Sequence, residues 1–191
     1  MRYPPDQKAK AKDAILEAGA RELRINGFNG IGVDGLAAAA GVTSGAFYSN
    51  FANKEALLEA VIDSCLGEPF VSANAGNADE WRKRLREWLT DYISLQHRNN
   101  AGPGCVMPAL SADVARASSP VRSAYQHKML ALVRKIAACL AGPQSDRERR
   151  AWGIVSVMVG AVAIARAMSG EKEAARALES SLQTALSLIG R

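Results

Sequence analysis

The chain has 191 residues, of which 48% are hydrophobic and 23% charged, so it is long enough to bury a core as one medium unit or two small ones. Its net charge of +5 fits an anionic partner without requiring one. Three widely spaced cysteines argue against a disulfide framework, and the N-terminal segment lacks the apolar stretch of a signal peptide, so we expect a cytoplasmic protein.

Nearly every segment has the apolar periodicity of a helix, with glycine and proline between segments and no strand-like alternation of useful length. This pattern predicts an all-α fold of about nine helices. In chain order we expect helices near residues 6–26, 33–40, 44–50, 54–66, 79–99, 107–116, 119–140, 146–169 and 171–189, with a loop over residues 71–78.

The segment 151–165 has the composition of a membrane span, because it contains no charged residue. Arg166 ends it after 15 residues, short of the ~20 that a bilayer requires. A helix that is apolar all round is typical of a buried core element. We therefore expect no membrane partner.

Residues 27–58 carry the most specific pattern in the chain. Two short helical segments flank Gly41, a residue type that tolerates the left-handed conformation of a tight turn. Thr43 and Asn53 each stand where an N-cap would begin the following helix. This layout predicts a helix-turn-helix, which presents its second helix to the major groove of DNA.

The same segment resembles the TetR family of transcriptional repressors, over about residues 14–62. The family pattern of a Gly-Val-Ser/Thr turn, small residues, an aromatic-Tyr pair, Phe and Lys-Glu is matched by Gly41, Val42, Thr43, Gly45, Phe47, Tyr48, Phe51, Lys54 and Glu55. The resemblance implies a three-helix DNA-binding domain over residues 1–53. A helical ligand-sensing and dimerisation domain would follow over residues 54–191.

By this resemblance, the Tyr48 hydroxyl and the Lys54 ammonium contact backbone phosphates, while Asn50 is able to pair with adenine. Each has a structural alternative: Lys54 as an ordinary solvated lysine, Ser49 and Asn50 as surface polar residues, and Thr43 as an N-cap only. The residues predicted to bind DNA are Thr43, Ser44, Gly45, Ala46, Tyr48, Ser49, Asn50 and Lys54.

Two glycines depart from the family pattern. The family usually begins the second helix with a hydroxyl residue that caps it and contacts a phosphate, whereas Ile31-Gly32 stands there in this chain. Gly35 adds a second glycine inside the helix, which costs ~1 kcal/mol relative to alanine. We predict a DNA-reading helix-turn-helix that is somewhat looser than is typical of the family, with the second helix less protected than the first.

The C-terminal part is less specific. Large or soft apolar side chains predict a ligand pocket, with plain core packing as the alternative for most of them: Trp88, Tyr92, Cys105, Met107, Tyr125, Met129, Trp152 and Met158. Stripes at helical spacing predict a four-helix dimer interface, with a monomeric core as the alternative: Ile154, Val155, Met158, Ala161, Val162, Ala165, Leu178, Leu182 and Leu186.

Cys105 follows a Gly-Pro-Gly turn and stands where a helix begins, a position that makes a thiol more reactive. It is either an oxidant or electrophile trigger or a small buried apolar residue. No Cys, His or Asp cluster has metal-ligand spacing, and no nucleophile or phosphate-loop motif supports an enzyme, so we expect neither a metal nor a cofactor.

The resemblance implies a homodimeric repressor that binds a palindromic operator in double-stranded DNA and is released by a small apolar or aromatic ligand. A thiol sensor and a helical enzyme are the alternatives. The sequence does not identify the operator, the regulated genes or the ligand, and it does not distinguish repression from activation.

Overall fold

The structure is a computed structural model that describes residues 5–68, 70 and 77–190. Within those residues it contains ten α-helices and no strand, which confirms the all-α prediction. The helices are α1 (Pro5–Asn26), α2 (Val33–Ala39), α3 (Ser44–Asn50), α4 (Lys54–Cys65), α5 (Ala78–Tyr92), α6 (Leu95–Asn99), α7 (Val106–Val114), α8 (Ser119–Cys139), α9 (Gln144–Ala167) and α10 (Glu171–Ile189).

The helix count differs from the sequence prediction in one region. The sequence predicted a single helix over residues 79–99, whereas the chain breaks at Ile93 and Ser94 into α5 and α6. The Ser94 hydroxyl donates to the carbonyl of Asp91 at 2.7 Å and accepts the backbone N–H of His97 at 3.1 Å. Ser94 thus caps a new helix instead of continuing the old one, a competition typical of serine.

Glycines end two helices in the way the sequence indicated. Gly27 follows α1 with a φ of +71°, and Gly41 forms the turn between α2 and α3 with a φ of +67°. Most of the predicted loop over residues 71–78 lies outside the described residues. Its last two residues belong to the start of α5, where the side chain of Asn77 accepts the backbone N–H groups of Asp79 and Glu80.

The described residues form two compact units. Unit 1 comprises the chain up to Leu66 together with Ala101–Lys128, and unit 2 comprises Gly67–Asn100 and Met129–Arg191. Unit 1 therefore contains α1–α4, α7 and the first half of α8. The sequence-based boundary between residues 53 and 54 is a division by function, and it stays a prediction.

In unit 1, α1 is the central helix and packs against α2, α3, α4 and α7. Its Ile15 and Leu23 side chains are fully buried, as is Phe47 of α3. The apolar residues that the sequence placed at core spacing on α4 are also fully buried: Leu57, Leu58, Val61 and Ile62. Within this unit, α3 packs on α1 and α2.

In unit 2, α9 and α10 pack along their lengths, and α5 and α6 pack on them. Arginines tie α6 to the end of α9 by reciprocal bonds to backbone carbonyls. Arg98 donates to Ala165 and Met168 at 2.9 and 2.6 Å, and Arg166 donates to His97 and Arg98 at 2.9 and 3.2 Å. These bonds satisfy carbonyls that a helix end leaves without partners.

Among the described helices, α9 alone is long and apolar enough, by length and composition, to cross a membrane. This is weak evidence for a span because core helices of soluble proteins have the same composition. Ile154, Met158 and Val162 of α9 are fully buried within the protein.

Candidate DNA-binding site

Two local features position α3. Gly41 makes the turn after α2, and the N–H of Val42 donates to the Ala37 carbonyl at 2.9 Å. The Thr43 hydroxyl accepts the N–H of Ala46 at 3.2 Å, so Thr43 is the N-cap that the sequence predicted. Turn and cap together fix the angle at which α3 leaves α2.

The two faces of α3 differ in exposure. Phe47 is fully buried and Phe51 is 5% exposed, with their ring centroids 5.9 Å apart, so they anchor the helix to the core. On the opposite face Gly45 and Ser49 are exposed, and Tyr48 is 56% exposed. An exposed tyrosine on a short helix with small neighbours suits close approach to DNA.

Three polar side chains of α3 already have partners within the protein. The Ser44 hydroxyl donates to the Asp34 carboxylate of α2 at 2.5 Å. The Ser49 hydroxyl and the Asn50 amide each donate to a backbone carbonyl one turn back in α3, both at 2.8 Å. The Asn50 Oδ1 atom is buried and has no hydrogen-bond partner among the residues that the structure describes. Reading a base would therefore require Asn50 to turn away from its own helix.

Lys54, the first residue of α4, lies against the loop between α1 and α2. Its ammonium group donates to the carbonyls of Phe28 and Ile31 at 2.6 and 3.0 Å. The same nitrogen lies 4.3 Å from the centroid of the Phe28 ring, a cation–π distance. Lys54 is thus held in place rather than freely solvated.

The start of α2 lacks the hydroxyl side chain usual in the family, as the sequence indicated. Gly32 is the N-cap in an extended conformation, with φ of −88° and ψ of 173°, and no side chain caps the helix. A Cβ atom at Gly32 would meet nothing within 4 Å, whereas one at Gly35 would lie 2.9 Å from Cγ1 of Ile31. A hydroxyl residue therefore fits at Gly32 without displacing its neighbours.

Three of the residues predicted for a ligand pocket lie in unit 1. Cys105 is the N-cap of α7, and its sulfur accepts the N–H of Met107 at 3.5 Å. Tyr125 shares a 2.7 Å hydrogen bond with Ser111, whose hydroxyl also lies 2.6 Å from the Met107 carbonyl. Burial raises the pKa of Tyr125, partly offset by the bond to Ser111 and increased by the nearby Cys105.

The other five lie in unit 2. Trp88 and Tyr92 belong to a row of aromatic rings, with centroids 5.6 Å apart, and Trp88 stacks on Phe70 at 4.6 Å. Met158 is fully buried and Met129 is 8% exposed, whereas Trp152 is 44% exposed and points out of unit 2. The pocket itself stays a prediction.

Unit 1 also contains a surface cleft of about 450 Å³ that the sequence did not indicate. It lies between α1, the end of α2 and the turn before α7. None of the predicted pocket residues lines it; its walls are Ala14, Glu17, Ala18, Arg21, Arg24, Ala39, Ala40, Gly102 and Pro103.

The residues predicted for a dimer interface are mostly inside unit 2. Leu182 and Leu186 are half-buried. The remaining seven are at most 3% exposed: Ile154, Val155, Met158, Ala161, Val162, Ala165 and Leu178. Their role in an interface stays a prediction, and the surface that α9 leaves open consists of other residues.

Sequence reasoning missed the partners that hold the DNA-facing side chains. Asp34 had a weak signal, because an acid in the first turn of a helix favours its N-terminus. No sequence signal marks the Phe28 and Ile31 carbonyls as partners of Lys54, because every residue has a backbone carbonyl.

Among the described residues, no three His, Cys, Asp or Glu side chains are arranged to hold a metal ion. The exposed face of α3, with Gly45, Tyr48 and Ser49, suits contact with nucleic acid. Fold and site together define a helix-turn-helix DNA-binding protein.

Comparison with known proteins gives the family. Residues 15–61 match the family described as bacterial regulatory proteins, tetR family. No curated protein matches the chain significantly. Over residues 15–61 this match confirms the TetR resemblance predicted from the sequence, and the solved structures confirm the all-α fold.

Solved structures share the fold over nearly the whole chain. A TetR-family regulator from Cytophaga hutchinsonii superposes with a TM-score of 0.74 at 18% identity, over 100% of both chains. E. coli NemR in its reduced form superposes with a TM-score of 0.73 at 20% identity, over 94% of this chain and 97% of the NemR chain. The fatty acid degradation regulator FadR from Bacillus halodurans superposes with a TM-score of 0.68 at 16% identity, over 100% of this chain and 97% of the FadR chain. At these identities the similarity establishes the fold alone.

Proposed function

We propose that the protein is a homodimeric cytoplasmic repressor, without catalytic activity, that binds a palindromic operator through α3. The observation that carries this proposal is the two-faced geometry of α3. Phe47 anchors one face in the core, while Gly45, Tyr48 and Ser49 are exposed on the other. Small side chains flanking an exposed tyrosine allow a helix to enter the major groove and contact the phosphates beside it.

The open face of α9 supports a homodimer. Trp152 and Ile164 are 44% and 54% exposed, unusual values for large apolar side chains of a core helix. Between them Gly160 has open space beyond its backbone, since a Cβ atom there would meet nothing within 4 Å. Residues four apart form a ridge along a helix, so this face is able to pack on the same face of a second copy.

The aromatic row in unit 2 supports a small apolar or aromatic ligand. Phe70 stacks on Trp88 with ring planes 17° apart, and Trp81 meets Phe70 edge to face at 6.0 Å. Trp81 and Trp88 are only half-buried. A flat apolar molecule would gain burial against these rings, and it would release DNA only by binding the released state more tightly.

A thiol trigger is the second candidate, favoured by the position of Cys105 at the start of α7. Cys139 provides an internal contrast, because burial raises the pKa of its thiol to about 11 and keeps it unreactive. If Cys105 is the trigger, an alkylating reagent will release DNA from the wild type and from Cys65→Ser, but not from Cys105→Ser.

The test is a salt-titrated binding assay on DNA from upstream of the gene, with unrelated DNA of equal length as control. We expect two subunits per palindrome and an affinity that falls steeply with salt, because each neutralised phosphate contributes about 0.9 to the slope of log K against log salt. The complex is then screened for release by planar aromatic compounds. Equal, weak and salt-insensitive binding to both DNAs would contradict the proposal.

A further inference from the structure

Asp113, near the end of α7, lies against the loop between α1 and α2. Its Oδ2 atom accepts the backbone N–H of Phe28 at 3.0 Å. Its Oδ1 atom lies 3.2 Å from the guanidinium of Arg116. The carboxylate is only 14% exposed, so both oxygens are used inside unit 1 rather than in solvent.

Phe28 connects this carboxylate to Lys54. Its N–H is held by Asp113, its carbonyl accepts the Lys54 ammonium at 2.6 Å, and its ring lies 4.3 Å below the same nitrogen. Moving the Phe28 backbone would therefore move the lysine. The contacts form a continuous path from α7 to the first residue of α4.

Among the described residues, the Lys54 ammonium has two oxygen acceptors, so one of its N–H groups has no oxygen partner there. An ammonium group carries three N–H donors, and the carbonyls of Phe28 and Ile31 take two of them. The geometry of these two bonds fixes the direction of the third. An N–H group fixed in direction loses less conformational entropy when it binds a phosphate than a freely rotating one.

We propose that Asp113 is a positioning residue for DNA binding: it holds the Phe28 backbone, which orients the Lys54 ammonium toward a phosphate. This inference rests on the phosphate contact of Lys54 in the proposed function. Asp113 itself does not touch DNA.

Two more hydrogen bonds fasten residues 102–118, the segment that contains Asp113, to the DNA-binding helices of unit 1. The Arg24 side chain of α1 donates to the Gly102 carbonyl at 2.6 Å. The N–H of Ser118 donates to the carboxylate of Glu55, next to Lys54 in α4, at 3.2 Å. Asp113 lies between these two bonds, so the segment from which it reaches Phe28 is held at both ends.

The direction of the change in DNA affinity distinguishes a positioning role of Asp113 from a simple effect of its charge. Removing a carboxylate from a DNA-binding protein reduces repulsion of the phosphates, and by itself tightens binding. Removing Asp113 is expected to weaken binding instead, because the Phe28 N–H loses its acceptor and Lys54 loses its fixed direction.

The experiment compares Asp113→Ala, Asp113→Asn and the wild type on a duplex that the wild type itself selects from a random pool. We expect Asp113→Ala to bind about tenfold more weakly, the scale of one hydrogen bond to a charged group. Its slope of log K against log salt should fall by about 0.9, the contribution of one phosphate. Asp113→Asn keeps an acceptor for Phe28 and should restore both quantities. Asp63→Ala, at an exposed carboxylate of α4, is the matched charge control and should not weaken binding.

A double-mutant cycle tests the path through Lys54. In a Lys54→Met background, Asp113→Ala should change neither the affinity nor the salt slope further. Full additivity of the two substitutions, or tighter binding by Asp113→Ala, would overturn the proposal. Hydrogen exchange of the Phe28 amide verifies that the bond is lost, and if Asp113→Ala does not fold, the same cycle is run with Asp113→Ser. Failure of the wild type to select any duplex would instead contradict the proposed function.

Discussion

Gly19 of α1 packs against the side chain of Leu57 in α4. A Cβ atom there would stand 2.7 Å from Cδ2 of Leu57, whose side chain is fully buried. Real Cβ contacts are not that short, so an alanine would force α1 and α4 apart or move the leucine out of its packed position. The close approach of these helices therefore depends on a missing methyl group.

We expect Gly19→Ala to lower the free energy of unfolding by up to about 2 kcal/mol, because overpacking costs about 1–3 kcal/mol and the helix propensity of alanine offsets about 1 kcal/mol of it. Chemical denaturation of both proteins measures it. Leu57→Val removes both δ carbons, so it should cost less in the Gly19→Ala background than in the wild type. Equal costs in the two backgrounds would show that the two residues do not compete for space.

The surroundings of His97 in unit 2 disfavour its protonated form. Burial lowers its pKa from 6.5, a nearby Arg166 lowers it further, and the hydrogen bond to the Tyr92 carbonyl opposes them. Nδ1 lies 2.7 Å from that carbonyl, and the ring packs on Tyr92 with centroids 4.4 Å apart. The neutral ring is the form that this environment favours.

A lowered folded-state pKa means that the contribution of His97 to stability is complete above pH 6.5 and is lost as the pH falls through the folded-state pKa. We expect the drop in Tm between about pH 7 and pH 5 to be smaller in His97→Gln than in the wild type. His127→Gln, at an exposed histidine, is the control and should follow the wild type. Identical pH profiles for all three proteins would rule out a role for His97.

At the scale of elements, α2 is the weakest helix of the DNA-binding part. It has seven residues, no side-chain cap at Gly32 and a glycine at its third position. Short helices depend on packing and caps, because few hydrogen bonds offset the cost of nucleation. Only its Leu36 and Ala37 are buried.

We expect the amides of α2 to exchange faster with solvent than those of the central part of α1. Gly32→Ser supplies an N-cap worth a few tenths of a kcal/mol over glycine and should slow α2 exchange by about twofold. Hydrogen exchange read by NMR resolves both effects. Equal protection of α1 and α2 in the wild type would show that α2 is not loose.

Helices, caps and turns were predictable from the sequence because their signals are local. Thr43 and Asn53 accept N–H groups three residues ahead, and Gly41 has the positive φ that its turn requires. The break at Ser94 was missed because a serine inside an apolar period is compatible with both continuation and capping.

Partners distant in sequence were not predictable. The bond between Phe28 and Asp113 joins residues 85 positions apart, and Lys54 reaches a carbonyl 26 positions back. Nothing in a periodicity or a motif marks such a pair. An apolar stripe such as that on α9 does not indicate whether it faces the protein's own core or a second copy, so the interface stays a prediction.

At the scale of the whole molecule, a palindromic operator requires two copies of α3 related by twofold symmetry. Ile164, on the open face of α9, is the most exposed large apolar side chain of unit 2. We expect Ile164→Asp to convert a dimer into monomers, because it buries a charge in an apolar contact. Thr90→Asp, exposed on α5, is the charge-matched control and should remain dimeric. Sedimentation equilibrium measures the oligomeric state of the wild type and of both variants. A wild type that sediments as a monomer would contradict the proposed homodimer.

The central claim is that the exposed face of α3 contacts DNA, and Gly45→Glu tests it most directly. Gly45 is exposed, and the nearest atom to a Cβ built there is the Thr43 hydroxyl oxygen at 3.7 Å, so the fold should tolerate the change. Ser64→Glu adds the same charge at an exposed site ten residues beyond Lys54, about 15 Å along α4.

Binding of both variants to the duplex that the wild type selects is the measurement. We expect Gly45→Glu to weaken binding by at least about a hundredfold, since a carboxylate would face the phosphates in the groove, and Ser64→Glu by only a few fold. Equal losses for the two variants, with both proteins folded, would contradict the contact between α3 and DNA.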